Sequence, residues 1–261
     1  MDHSDWANRI LSLFLCAAIL TMIFRARRGK QPFIRRIPGL TAVDEAVGRA
    51  TEMGRPMLLV SGLGENDLVI TFQAIAILSN IARAAARFGN RIITPVYVPQ
   101  VMTVVEQAFQ EAYNAEGKLE NFRPEDIIFL SNQQFAFAAA VAGIIQRERV
   151  AASFLFGQFF AESLIMAENG NMVGAIQVAG TPSTTQIPFL IAACDYVIIG
   201  DEFYAATAYL TREPTLVGSL VGQDIGKAAI LLICIIGVVL TTAMGPDNPW
   251  MHWFNHIWWS K

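Results

Sequence analysis

The side chains that most often carry catalysis are scarce in this chain, and their scarcity narrows the chemistry open to it. His3, His252 and His256 lie near the two ends of the 261 residues. The central segment therefore has no imidazole for a Ser-His-Asp or Cys-His pair, and none for a histidine metal site. Between Lys30 and Lys227 the only lysine is Lys118, in the polar run EGKLEN. Ser-Lys catalysis, a Schiff base and a phosphate-binding P-loop each need a lysine in a defined place, and no G-x-x-x-x-G-K-[ST] string occurs. Cys16, Cys194 and Cys234 are embedded in apolar sequence without C-x-x-C spacing and read as small buried hydrophobes. Carboxylates remain. Glu162, Asp201 and Glu202 stand near the ends of strand-like runs and could move protons or bind a divalent cation. Asp201 and Glu202 are adjacent, however, so regular structure points them apart, and helix capping accounts for them as well. His252 and His256 are spaced i, i+4 but offer only two ligands, in an aromatic tail. No catalytic residue, metal site or cofactor is expected.

Binding has a better-formed candidate in SGLGEND. Gly62 and Gly64 follow a strand-like run and precede a helical one, as the first two glycines of G-x-G-x-x-G do, but the third position is Asp67. A carboxylate there suits an N-cap and would oppose a pyrophosphate at the helix N-terminus. Ligands of open parallel sheets bind beyond the carboxyl ends of the strands. The candidate positions there are Ser61, Gly62, Gly64, Asn66, Ser131, Gln158, Gly180, Thr181, Ser183, Thr184 and Asp201. They are small, amide-rich and nearly uncharged, fit for a neutral polar ligand, and the TPSTT turn could offer N–H groups to an anion. The same residue types are those that βα turns favour for their own geometry.

These positions need a scaffold, and the hydrophobic pattern supplies one. Short buried-strand runs fall at 57–60, 91–98, 126–131, 152–156, 172–179 and 196–199, with helical segments between them at 68–88, 101–116, 133–149, 160–168 and 184–194. Such alternation predicts an α/β fold: a Rossmann-like, mainly parallel, doubly wound sheet. A short helix over 42–53 precedes it, with Thr41 and Asp44 resembling a capping box and Gly54 and Pro56 as the stop.

Hydrophobic residues make up 54% of the chain and charged ones only 16%, too apolar for an ordinary soluble domain. Residues 6–24 approach the ~20 needed to cross a bilayer. A cleaved signal peptide is the rival reading, but the start is acidic and the apolar run ends in RARRGK rather than a small-residue cleavage site. Arg25, Arg27 and Arg28 follow at once, which places the N-terminus outside and the next segment on the cytoplasmic side. That basic run is a topology signal and could also touch anionic lipid. A second apolar span is expected over 228–244, returning the chain outside, and the tail carries Trp250, Trp253, Trp258 and Trp259, suited to the headgroup level. The expected divisions are an N-terminal transmembrane anchor (1–26), a basic juxtamembrane segment with a short helix (27–56), a cytoplasmic α/β domain (57–214), a glycine-ridged linker with the C-terminal transmembrane helix (215–245) and an aromatic interfacial tail (246–261). Gly218, Gly222 and Gly226 are spaced by four and would form a bare ridge for helix packing if the helix begins early; otherwise they are linker glycines.

The net charge of −3, with the positive charge gathered in one place, excludes nucleic acid as a partner. Runs 68–82, 132–146 and 169–194 carry no charge at all, whereas the outer face of a surface helix normally does. Contact with further copies of the chain would cover them. The block IPGLTAVDEAVGRATEMGRPMLLVSGLG resembles an uncharacterised family of prokaryotic membrane-anchored proteins with an EAVGRATEMGRP-type block. The resemblance covers most of the chain between the two spans, and it implies the same architecture and no activity. The expected function is a membrane-anchored, self-associating structural or scaffold component of a larger assembly, without catalysis of its own. Its partners would be membrane lipid, further copies and other membrane-protein subunits. A membrane-tethered ligand-binding or sensory domain is the alternative, and a carboxylate-dependent enzyme the third reading.

Overall fold

Six strands form one sheet in the computed structural model, which describes residues 6–29, 38–64 and 67–244. They are β1 (Met57–Val60), β2 (Ile92–Val96), β3 (Ile127–Phe129), β4 (Ala152–Phe156), β5 (Ile176–Thr181) and β6 (Tyr196–Ile199). The order across the sheet is β3-β2-β1-β4-β5-β6, and every pair is parallel; Leu58, for instance, is registered with Ile93 on one side and Ser153 on the other. Parallel strands are covered on both faces, which explains why these segments are apolar runs rather than alternating ones. Each residue of β1, β2, β4 and β5 is buried.

Alternate residues feed two cores. Met57, Leu59, Phe154, Phe156 and Val178 pack beneath α2 (Pro38–Met53), α3 (Leu68–Phe88), α4 (Pro99–Ala115) and α8 (Glu202–Thr211). Leu58, Val60, Leu155 and Ala179 pack beneath α5 (Gln134–Glu148), α6 (Glu162–Val173) and α7 (Ile187–Ala193) on the opposite face.

Three local expectations change. The helix expected from residue 42 begins at Pro38, whose fixed φ suits a first helical position, so Thr41 and Asp44 lie inside α2 and form no capping box. Leu40, Val43, Ala46, Val47 and Ala50 of α2 are buried in the sheet's core, so this helix is part of the α/β unit rather than a separate juxtamembrane element. The strand expected over 172–179 starts at Ile176, because α6 runs on to Val173 and stops at Gly174, which takes the left-handed conformation at φ 72.

The chain divides into an α/β unit, Arg35–Thr211, and a second unit made of Met1–Ile34 with Arg212–Lys261. Within the second, α1 (Trp6–Arg27) and α9 (Pro214–Met244) run antiparallel. A Cβ added at Gly218 would lie 2.6 Å from Ile23 Cα, one at Gly222 would lie 2.6 Å from Ile19 Cα, and one at Gly226 would overlap Leu15 Cδ1. α9 is one continuous helix from Pro214, so the three glycines face α1 as a helical seam and not as a loose linker. Arg27 Nη2 donates to Thr215 Oγ1 at 3.3 Å at the basic end. Most of the outward side chains are exposed aliphatics, including Leu13, Leu20, Leu231, Ile235 and Val238. Among the described residues, three helical stretches are long and apolar enough to cross a membrane: Arg9–Arg27, Leu68–Phe88 and Pro214–Val239. The second of these is α3, whose inner face, from Ala74 to Ala86, packs in the α/β core.

Candidate functional site

The centre of the sheet, between β1 and β4, is where strand order reverses and where the turns leading to α3 and α6 diverge. The β1–α3 turn carries Ser61, Gly62 and Gly64, and it is shut. A Cβ on Gly62 (φ 72) would lie 2.7 Å from the Gln158 carbonyl oxygen and 2.8 Å from its nitrogen, while one on Gly157 would lie 2.7 Å from the Ser61 carbonyl oxygen. The Leu63 N–H donates to the Gln158 carbonyl at 3.0 Å, joining the two turns. Gly64 (φ 66) backs onto Thr71: a Cβ added there would lie 2.9 Å from the Thr71 hydroxyl. Ser61 to Leu63 are buried, so these glycines serve close contact within the protein.

Asp67 is the N-cap of α3: its Oδ1 accepts from the Val69 and Ile70 N–H groups at 3.0 and 3.2 Å. Two of the helix's unpaired donors are thereby taken by a carboxylate. Asn66 lies outside the described residues. Ser131 accepts from the Gln133 N–H at 3.0 Å, an ordinary turn contact, and Tyr97 donates to the Asn132 carbonyl at 2.6 Å beside it.

Gly180 is not on a loop. It is the fifth residue of β5, where a Cβ would lie 2.7 Å from the ring of Phe156, and its carbonyl accepts from the Gly157 N–H at 3.0 Å. Thr181 is buried as the last residue of β5, and its Oγ1 accepts from the Ser183 N–H at 3.2 Å. Ser183 and Thr185 share a hydroxyl contact at 3.0 Å, and Thr184 is exposed. Asp201 is exposed just before α8, its carbonyl accepting from Tyr204 and Ala205 at 3.2 Å. Those of the predicted positions that are described lie along one edge of the sheet, and the bonds above tie their turns to the protein's own backbone.

Glu162 has the most enclosed carboxylate of that edge. It is fully buried, its Oε1 accepts from the Phe160 N–H at 2.8 Å, and its Oε2 accepts from the Gln134 side-chain amide. Each oxygen accepts one bond, and the arrangement ties the starts of α5 and α6 together. Among the described residues no cluster of three or more His, Cys, Asp or Glu is placed to hold a metal ion. Burial, with a smaller contribution from Asp195, pushes the Cys194 thiol up to about 12, far from a reactive thiolate. The tail residues Trp250, Trp253, Trp258, Trp259, His252 and His256 lie outside the described residues.

A polar cluster that the sequence did not announce sits inside β5. Gln177 is fully buried, and its amide nitrogen lies 2.7 Å from the Ala167 carbonyl, 3.0 Å from Asn171 Oδ1 and 3.0 Å from the Ala193 carbonyl. Its main-chain N–H donates to Asp195 at 2.8 Å. The one signal for it was a glutamine inside an apolar strand run, which must find partners when buried.

Apolar side chains crowd the same edge. Leu68, Val69 and Phe72 at the start of α3, Phe135 at the start of α5 and Phe189 in α7 are about half exposed or more.

These features define an all-parallel α/β protein with a closed strand-end turn and an apolar helical hairpin. The chain belongs to the family described as a domain of unknown function (DUF6754), whose profile matches residues 1–249. No curated protein and no solved structure matches it.

Proposed function

We propose that this chain is a membrane-anchored, self-associating structural component, with α1 and α9 crossing the bilayer and the α/β unit on the cytoplasmic side. The carrying observation is the α1–α9 hairpin: two apolar helices zipped by a glycine seam, with aliphatic side chains outward and Arg25, Arg27 and Arg28 at one end. Close glycine contact is how helices associate where no hydrophobic drive exists between them, and the basic end matches the positive-inside rule. Both chain ends then lie outside. The apolar side chains at the strand-end edge, among them Val69, Phe72 and Phe135, support contact with further copies. Cysteines introduced at Arg28 and Lys261, labelled in right-side-out and inverted vesicles, test the topology: residue 28 reacts from inside and residue 261 from outside. Extraction of the chain by alkaline carbonate would refute the anchor.

A ligand-binding or sensory role is the second reading. The order β3-β2-β1-β4-β5-β6 is that of Rossmann-like dinucleotide-binding sheets, and this favours it. The contact between Gly62 and Gln158 opposes it, because it holds the β1 and β4 turns closed on each other. Thermal unfolding with and without NAD and ATP separates the two readings: a ligand that stabilises would raise the midpoint with concentration.

A further inference from the structure

A hydroxyl in the middle of β2 lacks a partner within the protein. Thr94 is fully buried and registered beside Ile127 of β3, on the sheet face that Ile92 and Val96 present to α4. Its Oγ1 meets no hydrogen-bonding group among the described residues. A buried hydroxyl costs stability unless something pairs with it, and most such groups are paired by protein or by ordered water. Thr94 lines a cavity of about 20 Å³ together with Tyr113 and Asp126. One water needs only ~10–15 Å³, whereas sites for small organic ligands begin near ~300 Å³. Arg91 and Arg123 also line the cavity, and their charges oppose a metal cation there.

The groups around the cavity can satisfy a water. Asp126 is buried, and its Oδ1 and Oδ2 accept from Arg91 at 2.6 and 2.9 Å. A carboxylate offers about four lone-pair positions, so acceptor capacity remains. Tyr113 Oη donates to the Asn90 carbonyl at 3.4 Å and keeps its own lone pairs. Burial, and then Asp126, push the Tyr113 phenol up to about 12, so it is present as a neutral hydroxyl.

We propose that this cavity is a binding site for one water molecule, which accepts from the Thr94 hydroxyl and donates to the Asp126 carboxylate and to Tyr113 Oη. Three bonds are the usual complement of a buried water. The water joins β2, the turn of residues 124–126 that leads into β3, and α4. Thr94 is thereby paired without a protein partner, and the outer strand β3 is linked to its neighbour by more than the backbone ladder.

The test pairs a crystal structure of the full chain in detergent, at a resolution that shows ordered waters, with the stability of Thr94→Val. The parent should show a density peak about 2.6–3.2 Å from Thr94 Oγ1 and from an Asp126 oxygen. Thr94→Val keeps the shape of the side chain and removes its hydroxyl, so the water loses one partner. The unfolding constant in urea should then rise about fivefold, the effect of one lost hydrogen bond. A hydroxyl that pairs with nothing gives the opposite sign: its removal leaves the unfolding constant unchanged or lowers it. An empty cavity in the parent, a peak too strong for a water, or a Thr94 side chain turned onto a main-chain carbonyl overturns the proposal. So does a Thr94→Val chain that is as stable as the parent. Should that variant fail to fold, the density of the parent decides by itself.

Discussion

Gly62, on the turn after β1, lies against the backbone of Gln158, on the turn after β4, so closely that an added methyl group would sit 2.7 Å from the Gln158 carbonyl oxygen. The contact is reciprocal through Gly157 and Ser61, and the Leu63 N–H bridges it. Gly62→Ala adds two costs: about 1–2 kcal/mol for a side chain in the left-handed region, and about 1–3 kcal/mol for overpacking. A net loss of about 2–5 kcal/mol would lower the thermal midpoint by about 4–20 °C in a unit of this size. Differential scanning calorimetry of the detergent-solubilised chain reads this directly. An unchanged midpoint would mean that the turn opens readily, which would favour ligand entry.

The hairpin seam makes its own demand. A Cβ on Gly222 would lie 2.6 Å from Ile19 Cα, and the obstacle is backbone, which cannot rotate aside. Gly222→Val should therefore push α1 and α9 apart by a few ångströms, about the extra width of an aliphatic side chain at a helix contact. Spin labels at Leu13 and Ala228, level with each other in this register, would report a longer and broader distance distribution. The same substitution at Ala228's neighbour Ile230, which is exposed, should leave the distance unchanged.

Much of this fold can be read from the residues, and the exceptions have definite causes. β4 at 152–156, β6 at 196–199 and α3 at 68–88 fall where the apolar pattern puts them, since each is bounded by glycine, proline or a capping carboxylate. β5 starts four residues later than expected because MVGAIQVA looks like one apolar run until Gly174 is recognised as a helix stop. The closed turn at Gly62 was not legible, because it depends on backbone contact between segments almost a hundred residues apart. Neither was the register of α9 on α1, which sets Gly218, Gly222 and Gly226 against Ile23, Ile19 and Leu15, because it depends on contact between segments about two hundred residues apart. Glu162 was visible as an acid near a strand end, but its hydrogen bond from Gln134 needs the starts of two helices brought together.

Glu116, just past the end of α4, accepts from Arg83 at 2.6 Å and from Arg87 at 2.9 Å on α3. The hydrogen bonds from Arg87 and then Arg83 hold its carboxyl at about 2, well below the usual range. A depressed folded-state pKa means that the stabilisation is complete above the unfolded value, about 4.3, and is lost as pH falls from there through about 2. The side-chain carboxyl carbon of Glu116 should titrate near 2 by NMR. Glu116→Gln should be less stable than the parent at pH 7, and the gap should shrink below pH 4 and with added salt, because both arginines are about half exposed.

The sharpest prediction concerns the sign of one substitution. Gly170 lies inside α6, where replacing glycine by alanine ordinarily stabilises a helix by about 1 kcal/mol. A Cβ at Gly170, however, would overlap Gln177 Oε1, and Gln177 cannot move aside cheaply because its amide nitrogen is held among Ala167, Asn171 and Ala193. Displacing that side chain forfeits hydrogen bonds worth about 1 kcal/mol each and adds overpacking of about 1–3 kcal/mol. The clash therefore exceeds the helical gain, and Gly170→Ala should destabilise the parent by about 1–3 kcal/mol. Gln177→Ala removes the obstacle together with the network, at its own cost in stability. In that background Gly170→Ala should meet nothing and stabilise by about 1 kcal/mol, so the double variant should be more stable than Gln177→Ala alone. Chemical denaturation of the four chains measures the coupling. Equal effects of Gly170→Ala in both backgrounds would show that α6 does not press on Gln177 as the packing requires.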